Sequence, residues 1–407
     1  MSAGSSCVWV VGTFDTKAQE LDYVAGLMRE AGVSVVTVDI GTSGGGVASA
    51  DISAPQVASH HPDGATAVLE GTDRGAAVMA MAVALQRLVQ SKHQAGHIAG
   101  MLGLGGSGGA SMIAPAMHCL PIGMPKLLVS TMAAGNVAPL VDIYDVMLLY
   151  PVTDFAGLNR LSRVILANAA QAMTGMMQAV RLPAGGDVRP SLGLSMFGVT
   201  TPCVQQVCGL LSDDFDCQVF HANGIGGRTL EALARAGMLR AVVDVTTTEV
   251  GQNLAAGVCD AGPGRLAAAA EFGIPWVGSV GALDMINWGP PDTVPAQHRD
   301  RNFCVHNAQV TLMRSTAQEL ALAGRRLAAR LNQSPGPVRL LLPLAGLSAL
   351  DAPGKPFHDP AANAALFAAI EDEFMQTDTH HLAKLDRHIN DPEFAQALAK
   401  AVREVLE

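Results

Sequence analysis

Five glycines in seven residues, Gly103-Leu104-Gly105-Gly106-Ser107-Gly108-Gly109, separate an apolar run, His97-Ile98-Ala99-Gly100-Met101-Leu102, from a helical pattern that opens at Ala110. A buried strand, a glycine loop and a helix start follow one another in the way an open α/β sheet requires. Such a loop lets backbone N–H groups come close to an anion, and the helix N-terminus adds its partial positive charge. Each glycine loses much conformational freedom on folding, so five are costly for a mere connection. Either one or two of them supply positive φ for a tight turn, or the loop cradles a phosphate or carboxylate. The density of glycine favours the cradle.

The same grammar recurs along the chain. Cys7-Val8-Trp9-Val10-Val11 reads as a buried strand, Gly12-Thr13-Phe14-Asp15-Thr16 as its turn. A helix then starts near Thr16, with Gln19 as capping-box partner and Leu21, Val24, Leu27 and Met28 on one face, and stops at Gly32. A second strand, 33–40, ends in another glycine loop, 41–46. Right-handed crossover makes the sheet parallel. Residues 47–70 read as a polar, irregular insertion. A helix from Thr72 to Val89, strands at 126–130 and 146–150 and a long helix, 159–177, complete a first unit, and 183–187 reads as a linker.

A second unit repeats the pattern. Strands at 192–197, 218–221, 241–245 and 274–278 each end in a polar or glycine turn, with Pro202 at a first helical position. A helix at 317–332, a strand at 338–342 and two helices opening at Asp359-Pro360 and Asp391-Pro392 form the tail. The expected fold is α/β, with two Rossmann-like subdomains of mainly parallel strands, residues 1–182 and 190–407, and C-terminal helices.

Bulk composition narrows the class. The 407 residues are 49% hydrophobic and only 15% charged, a profile of Ala-rich helices covering buried strands, with some surface expected to be buried in a homodimer. A net charge of −10 without Lys/Arg runs speaks against nucleic acid or an anionic membrane as partner. No secretory signal and no apolar stretch of membrane length are evident. The seven cysteines, odd in number and without a CxxC pair, read as reduced thiols of a cytoplasmic protein.

In an open parallel sheet, ligands bind beyond the carboxyl ends of the strands. Gly12, Thr13, Asp15 and Thr16, Asp39, Gly41 and Thr42, Gly103 to Gly109 including Gly105, Gly106, Ser107 and Gly108, and Thr131 to Asn136 all sit at such ends and are expected to converge. Asp39 either binds a ribose hydroxyl or caps its own loop. Asp15 with Lys17 either holds a metal or phosphate or caps a helix. The first turn is not GxGxxG, and no Walker-type GxxxxGK[ST] exists. Gly105-Gly106-Ser107-Gly108-Gly109 also fits G-x-S-x-G, for which Asp244 or Glu249 and His306 would complete a serine-hydrolase triad. In the second unit, Asp244, Thr246, Thr247, Thr248 and Glu249 replace the glycines. They suit a polar substrate, a metal or acid/base work, or else a Thr-capped helix start. Asp284, Asn287, His306 and Asn307 are further candidates for that site, His306 as acid/base or as a structural histidine. His60-His61 and His380-His381 read as surface pairs.

Several segments carry a resemblance: Val10 to Lys17, Gly103 to Gly109, Val129-Ser130-Thr131 running to Gly135-Asn136-Val137, Phe197 to Pro202, Asp244 to Glu249, and His388-Ile389-Asn390-Asp391-Pro392. Over essentially its whole length the chain resembles a bacterial and fungal family of uncharacterised proteins similar to the ATP-binding N-terminal domain of the plant tobamovirus-resistance protein. The resemblance implies two Rossmann-like subdomains, dimerisation and ATP binding in the first, with Mg²⁺ expected because ATP usually carries it. The plant relative has a further C-terminal barrel domain, with no counterpart expected here. The combined expectation is a protein that binds ATP on the first-unit loops and activates a small polar metabolite held against Asp244, Thr246, Thr247, Thr248 and Glu249 in a crevice between the subdomains. A serine hydrolase using Ser107 and a non-enzymatic nucleotide-sensing module are the alternatives.

Overall fold

The computed structural model describes residues 6–43, 50–70, 73–178 and 189–407. The chain divides into two compact units, Met1–Ala184 and Gly185–Glu407. Residues 44–46 of the second glycine loop, Thr72 and the expected linker lie outside the described residues.

Unit 1 begins β1 (Cys7–Gly12), α1 (Phe14–Glu30), β2 (Val35–Asp39), α2 (Ala54–Ala58), α3 (Thr66–Leu69) and α4 (Arg74–Gln94). It continues β3 (Ile98–Gly105), α5 (Ser107–Met117), β4 (Lys126–Ser130), α6 (Ala138–Val141), β5 (Met147–Leu149) and α7 (Arg160–Gln178). All strand pairs are parallel and the sheet order is β2-β1-β3-β4-β5. The winding reverses between β1 and β3, so the loops after these two strands diverge to opposite faces and leave a crevice at the sheet's carboxyl edge.

Alternation in β1 shows how the layers form. Val8 and Val10 pack with Leu21, Val24 and Met28 of α1 and Leu166 and Met173 of α7. Trp9 and Val11 face the other way, onto Met81, Leu85 and Leu88 of α4 and Ile113 and Met117 of α5. Residues 50–70 are not an irregular insertion: Val57, Ala58 and Val68 of α2 and α3 are buried in that second layer.

Unit 2 begins β6 (Ser191–Met196), α8 (Thr201–Leu211), β7 (Asp216–His221), α9 (Ile225–Arg235), β8 (Ala241–Asp244), α10 (Thr248–Ala255), α11 (Ala267–Phe272) and β9 (Trp276–Gly278). It continues β10 (Met285–Trp288), β11 (Phe303–Asn307), β12 (Val310–Arg314), α12 (Ala317–Leu331), β13 (Val338–Pro343), α13 (Pro360–Glu373), β14 (His380–Leu385) and α14 (Pro392–Leu406). Its parallel sheet has the order β14-β13-β9-β8-β6-β7. Read from β7, the first four strands repeat the order of unit 1. The expected pair of Rossmann-like α/β units with mainly parallel sheets is therefore the observed fold.

Two departures stand out. β10, β12 and β11 form a separate antiparallel sheet in a stretch to which the sequence reading assigned no strand. His380 is not a surface residue: it opens β14, is buried, and places Nε2 3.0 Å from the carbonyl oxygen of Ser334. Among the described residues no helix is long and apolar enough to cross a membrane.

Candidate functional site

The unit 1 site starts from two strand ends. Asp39, at the end of β2, turns inward and is 1% exposed. Its Oδ1 accepts N–H bonds from Phe14 at 3.0 Å and Gly41 at 2.8 Å, tying the start of α1 to the loop after β2. Burial raises its pKa against the pull of these two donors. Asp39 is thus a loop cap through Oδ1.

The glycines divide into two kinds. A Cβ on Gly103 would lie 2.5 Å from Ile113 Cγ2, and one on Gly105 2.8 Å from Gly109 Cα, so both let α5 lie close on β3. Gly12 is likewise enclosed, by Leu21 and the Leu104 carbonyl, and Gly41 leaves room for the Asp15 carboxylate. Gly108 meets nothing within 4 Å, and Gly106 and Gly109 meet nothing closer than 3.9 Å and 3.7 Å. None of these three has positive φ, so the tight-turn reading of the cluster fails. Packing does not demand glycine there, and at Gly108 and Gly109, inside α5, glycine costs up to about 1 kcal/mol against alanine. What the missing side chains preserve is open space beside the first amides of α5, which have no partner within the helix. No side chain caps that helix.

This space is part of a cleft of about 560 Å³ lined by both turns. Thr13, Asp15, Thr16 and Thr42 stand opposite Gly106, Ser107, Gly108 and Gly109, as the sequence predicted for converging loops. Lys17, Arg74 and Asp154 add charge, and Ala77, Val78 and Met112 an apolar wall. Lys17 Nζ donates to Thr16 Oγ1 at 3.3 Å and lies 6.0 Å from the Phe155 ring centroid. Among the described residues neither Lys17 nor Arg74 is paired with a carboxylate. Asp15 accepts from Ser43 Oγ through Oδ2, while its buried Oδ1 has no partner. Thr131 and Asn136 do not line the cleft; Asn136 is exposed and its Oδ1 accepts from Ala138 N at 3.2 Å.

Unit 2 overturns its assignments. Asp244, Thr246, Thr247, Thr248 and Glu249 are each 0% exposed. Arg265 grips Asp244 with two hydrogen bonds, of 2.8 and 2.7 Å, Glu249 Oε2 through Nε at 2.7 Å, and Glu231 Oε1 at 3.1 Å. Asp244 also accepts from Ser195 Oγ at 2.5 Å and Trp276 Nε1 at 3.3 Å, and Glu249 Oε1 from the amides of Gly224 and Gly227. Burial works against the Arg265 charge, but Asp244, Glu249 and Glu231 outweigh it and hold its pKa above the ordinary value. Burial raises the Glu231 pKa, partly offset by Arg265. Thr246 shares a hydrogen bond with Thr200, Thr247 donates to the Ser279 carbonyl, and Thr248 accepts from Gln252. All five are enclosed and bonded to other groups of unit 2. His306 lies exposed on β11, and among the described residues no histidine lines the unit 1 cleft. Glu231 and Arg265, the pieces that decide this arrangement, carried no local motif.

Asp284 is also buried. Its Oδ2 accepts from Ser348 Oγ at 2.7 Å, its Oδ1 makes no hydrogen bond, and Asp351 Oδ1 makes none either but lies 3.8 Å from His358 Nδ1. Burial, then the charge of Asp351, against Arg314 and Ser348, push its pKa from 3.8 to about 7. The folded state therefore holds this proton more tightly than the unfolded chain. The resulting stabilisation is full below pH 3.8 and fades as pH rises to about 7. Asp284→Asn should flatten that slope. The variant should be the more stable of the two at pH 8 by a few kcal/mol, since each tenfold difference in proton affinity is worth about 1.4 kcal/mol. Urea midpoints of both proteins at pH 5 and pH 8 check this; parallel slopes would disprove it.

Comparison with known proteins fits this two-unit architecture. The family model described as the N-terminal domain of the uncharacterised protein family UPF0261 matches residues 6–181, and that described as its C-terminal domain matches residues 189–406. A UPF0261 protein of Mesorhizobium japonicum is 50% identical over 392 residues, 96% of this chain and 97% of that protein. One of Rhizobium meliloti is 49% identical over 98% of each chain. The ToMV resistance protein Tm-1 of Solanum lycopersicum is 37% identical over 423 residues, 99% of this chain and 56% of the tomato protein. The unit 1 cleft and the buried unit 2 cluster thus lie in a chain that belongs to the UPF0261 family.

Proposed function

We propose that unit 1 binds a nucleoside triphosphate, ATP, with its phosphates on the N-terminus of α5. The observation that carries this reading is the trio Gly106, Gly108 and Gly109. Nothing in the packing or backbone requires glycine there, yet the bare backbone opens onto a cleft flanked by Lys17 and Arg74. Unopposed cations beside uncapped helix amides form an anion site. Its place beyond the ends of β1 and β3 is where doubly wound sheets take nucleotides.

The remaining lining residues fit the rest of such a ligand. Asp15, with its unpartnered Oδ1, and Asp154 would hold a Mg²⁺ shared with the phosphates, supplying charge neutralisation. The apolar wall of Ala77, Val78 and Met112 suits a base. The resemblance of the loop motifs points to adenine. The reading gives no part to Asp244 or Glu249.

A thermal-shift and calorimetric panel of ATP, ADP, NAD, NADP and phosphate, with and without Mg²⁺, tests the proposal. ATP with Mg²⁺ at 100 times its Kd should add about 2.7 kcal/mol, a shift of several degrees. Lys17→Ala and Arg74→Ala should each weaken binding about tenfold or more, as loss of a charged hydrogen bond implies. Silence toward every nucleotide would sink the reading. Phosphate release in the same samples separates turnover from sensing.

A further inference from the structure

The segment 151–157, between β5 and α7, gathers three features that folding alone does not favour. Val152 has a φ of 66°, a left-handed conformation rare for a β-branched residue, in a turn closed by the Thr153 N–H on the Pro151 carbonyl at 2.7 Å. Thr153 Oγ1 is buried without a hydrogen-bond partner. Gly157, with a φ of 90°, donates its N–H at 2.9 Å to Oε1 of Glu20, a residue of α1 that is only 2% exposed. An apolar side chain would fill that place on α1 without the cost of burying a carboxylate. What the carboxylate adds is a fixed position for the end of the segment.

Strain of this kind collects at ligand clamps. Phe155, buried with Val8, Val10 and Leu21, anchors the middle of the segment beneath Lys17. Beside it Asp154 is exposed and lines the unit 1 cleft, its Oδ1 accepting the Phe155 N–H at 2.8 Å. Asp15 lines the same cleft with a buried Oδ1 that has no partner. Among the described residues no three His, Cys, Asp or Glu side chains are grouped to hold a metal ion by themselves. A cation on these two carboxylates therefore draws on phosphate oxygens, as Mg²⁺ commonly does.

We infer that Glu20 is a positioning residue: by holding Gly157 it sets the strained segment so that Asp154 shares a nucleotide-bound cation with Asp15. The inference rests on the reading of the cleft as a nucleotide site. Glu20 touches neither nucleotide nor metal and acts only through Gly157. Freed of that bond, Val152 relaxes to negative φ and Asp154 leaves the cleft. The cradle on α5 involves none of these residues and stays in place. Loss of Glu20 should therefore fall on the cation's contribution and spare the binding of the nucleotide itself.

Calorimetric titration of the full chain with ATP, with and without Mg²⁺, separates the two contributions. Mg²⁺ alone should give no saturable heat. In the wild type Mg²⁺ should tighten ATP binding about tenfold or more, a coupling of ordinary size. Asp154→Asn and Glu20→Met should each abolish that factor, and Glu20→Met should keep the metal-free affinity. Glu20→Gln, whose amide oxygen still accepts the Gly157 N–H, should retain the Mg²⁺ effect, which a role in packing alone would not single out. Hydrogen exchange in the wild type reads the same point without a variant: ATP with Mg²⁺ should slow exchange across 151–157, and metal-free ATP should not. The full Mg²⁺ effect in folded Glu20→Met or Asp154→Asn, or equal protection with and without Mg²⁺, overturns the inference and leaves the nucleotide site standing. A wild type that binds no ATP overturns the reading of the cleft, and this inference with it.

Discussion

Gly108→Asp is expected to abolish nucleotide binding while leaving the fold intact. The new side chain enters open space, where no heavy atom lies within 4 Å of its Cβ. A carboxylate in the first turn of α5 also suits the helix dipole, so unfolding should occur at the wild-type temperature or slightly above. For a bound phosphate the same charge is repulsive. At about 4 Å and an effective dielectric of about 20 the repulsion is about 4 kcal/mol, a loss of roughly a thousandfold. Isothermal titration with ATP and Mg²⁺ measures this, with circular dichroism melting as the control. Wild-type affinity in a folded Gly108→Asp protein would remove the α5 N-terminus from the ligand site.

Arg265→Met should damage unit 2 more than any surface change. Methionine fills similar volume, but it leaves Asp244, Glu249 and Glu231 buried around a missing cation. Stranding one partner of a buried ion pair costs about 3–5 kcal/mol, and here three carboxylates lose the same partner. Urea unfolding followed by Trp276 fluorescence reads the effect, because the indole N–H bonds Asp244 in the same cluster. A midpoint equal to that of the wild type would mean that the cluster neutralises itself by proton uptake and does not need the guanidinium.

What the sequence made legible followed from local chemistry. Apolar runs ending in glycine or polar turns located β1 to β9 and β13 and the turns after β1 and β3, but not β14. Asp359-Pro360 and Asp391-Pro392 marked the starts of α13 and α14, because a first-turn proline acts on the neighbouring residues alone, helped at α13 by the Asp359 cap. The unit 1 cleft was visible for the same reason, through Thr13, Asp15 and Gly106 to Gly109. Arg74 was not, since a single arginine at the start of α4 carries no pattern and only the fold brings it to those loops. Asp244 to Glu249 misled for a related reason. A polar run at a strand end looks the same whether it meets a ligand or a buried arginine, and Arg265 arrives from a loop before α11. Asp39 shows the limit within one residue: its position suits a ribose, and only the fold shows that its Oδ1 also ties two backbone N–H groups together. The antiparallel sheet of β10 to β12 was hidden because its strands are short and a segment with Pro290, Pro291 and Pro295 separates β10 from β11.

The Arg265 cluster has a consequence for how unit 2 assembles. Its partners come from β6, α9, β8, α10 and β9, segments scattered from Ser195 to Trp276. None of them can shed water around the guanidinium until the others have arrived, because a half-formed set strands a charge in a drying core. The cluster therefore rewards only the complete arrangement. It ties the early half of the unit to its centre, and a sheet out of register would forfeit the whole set of bonds.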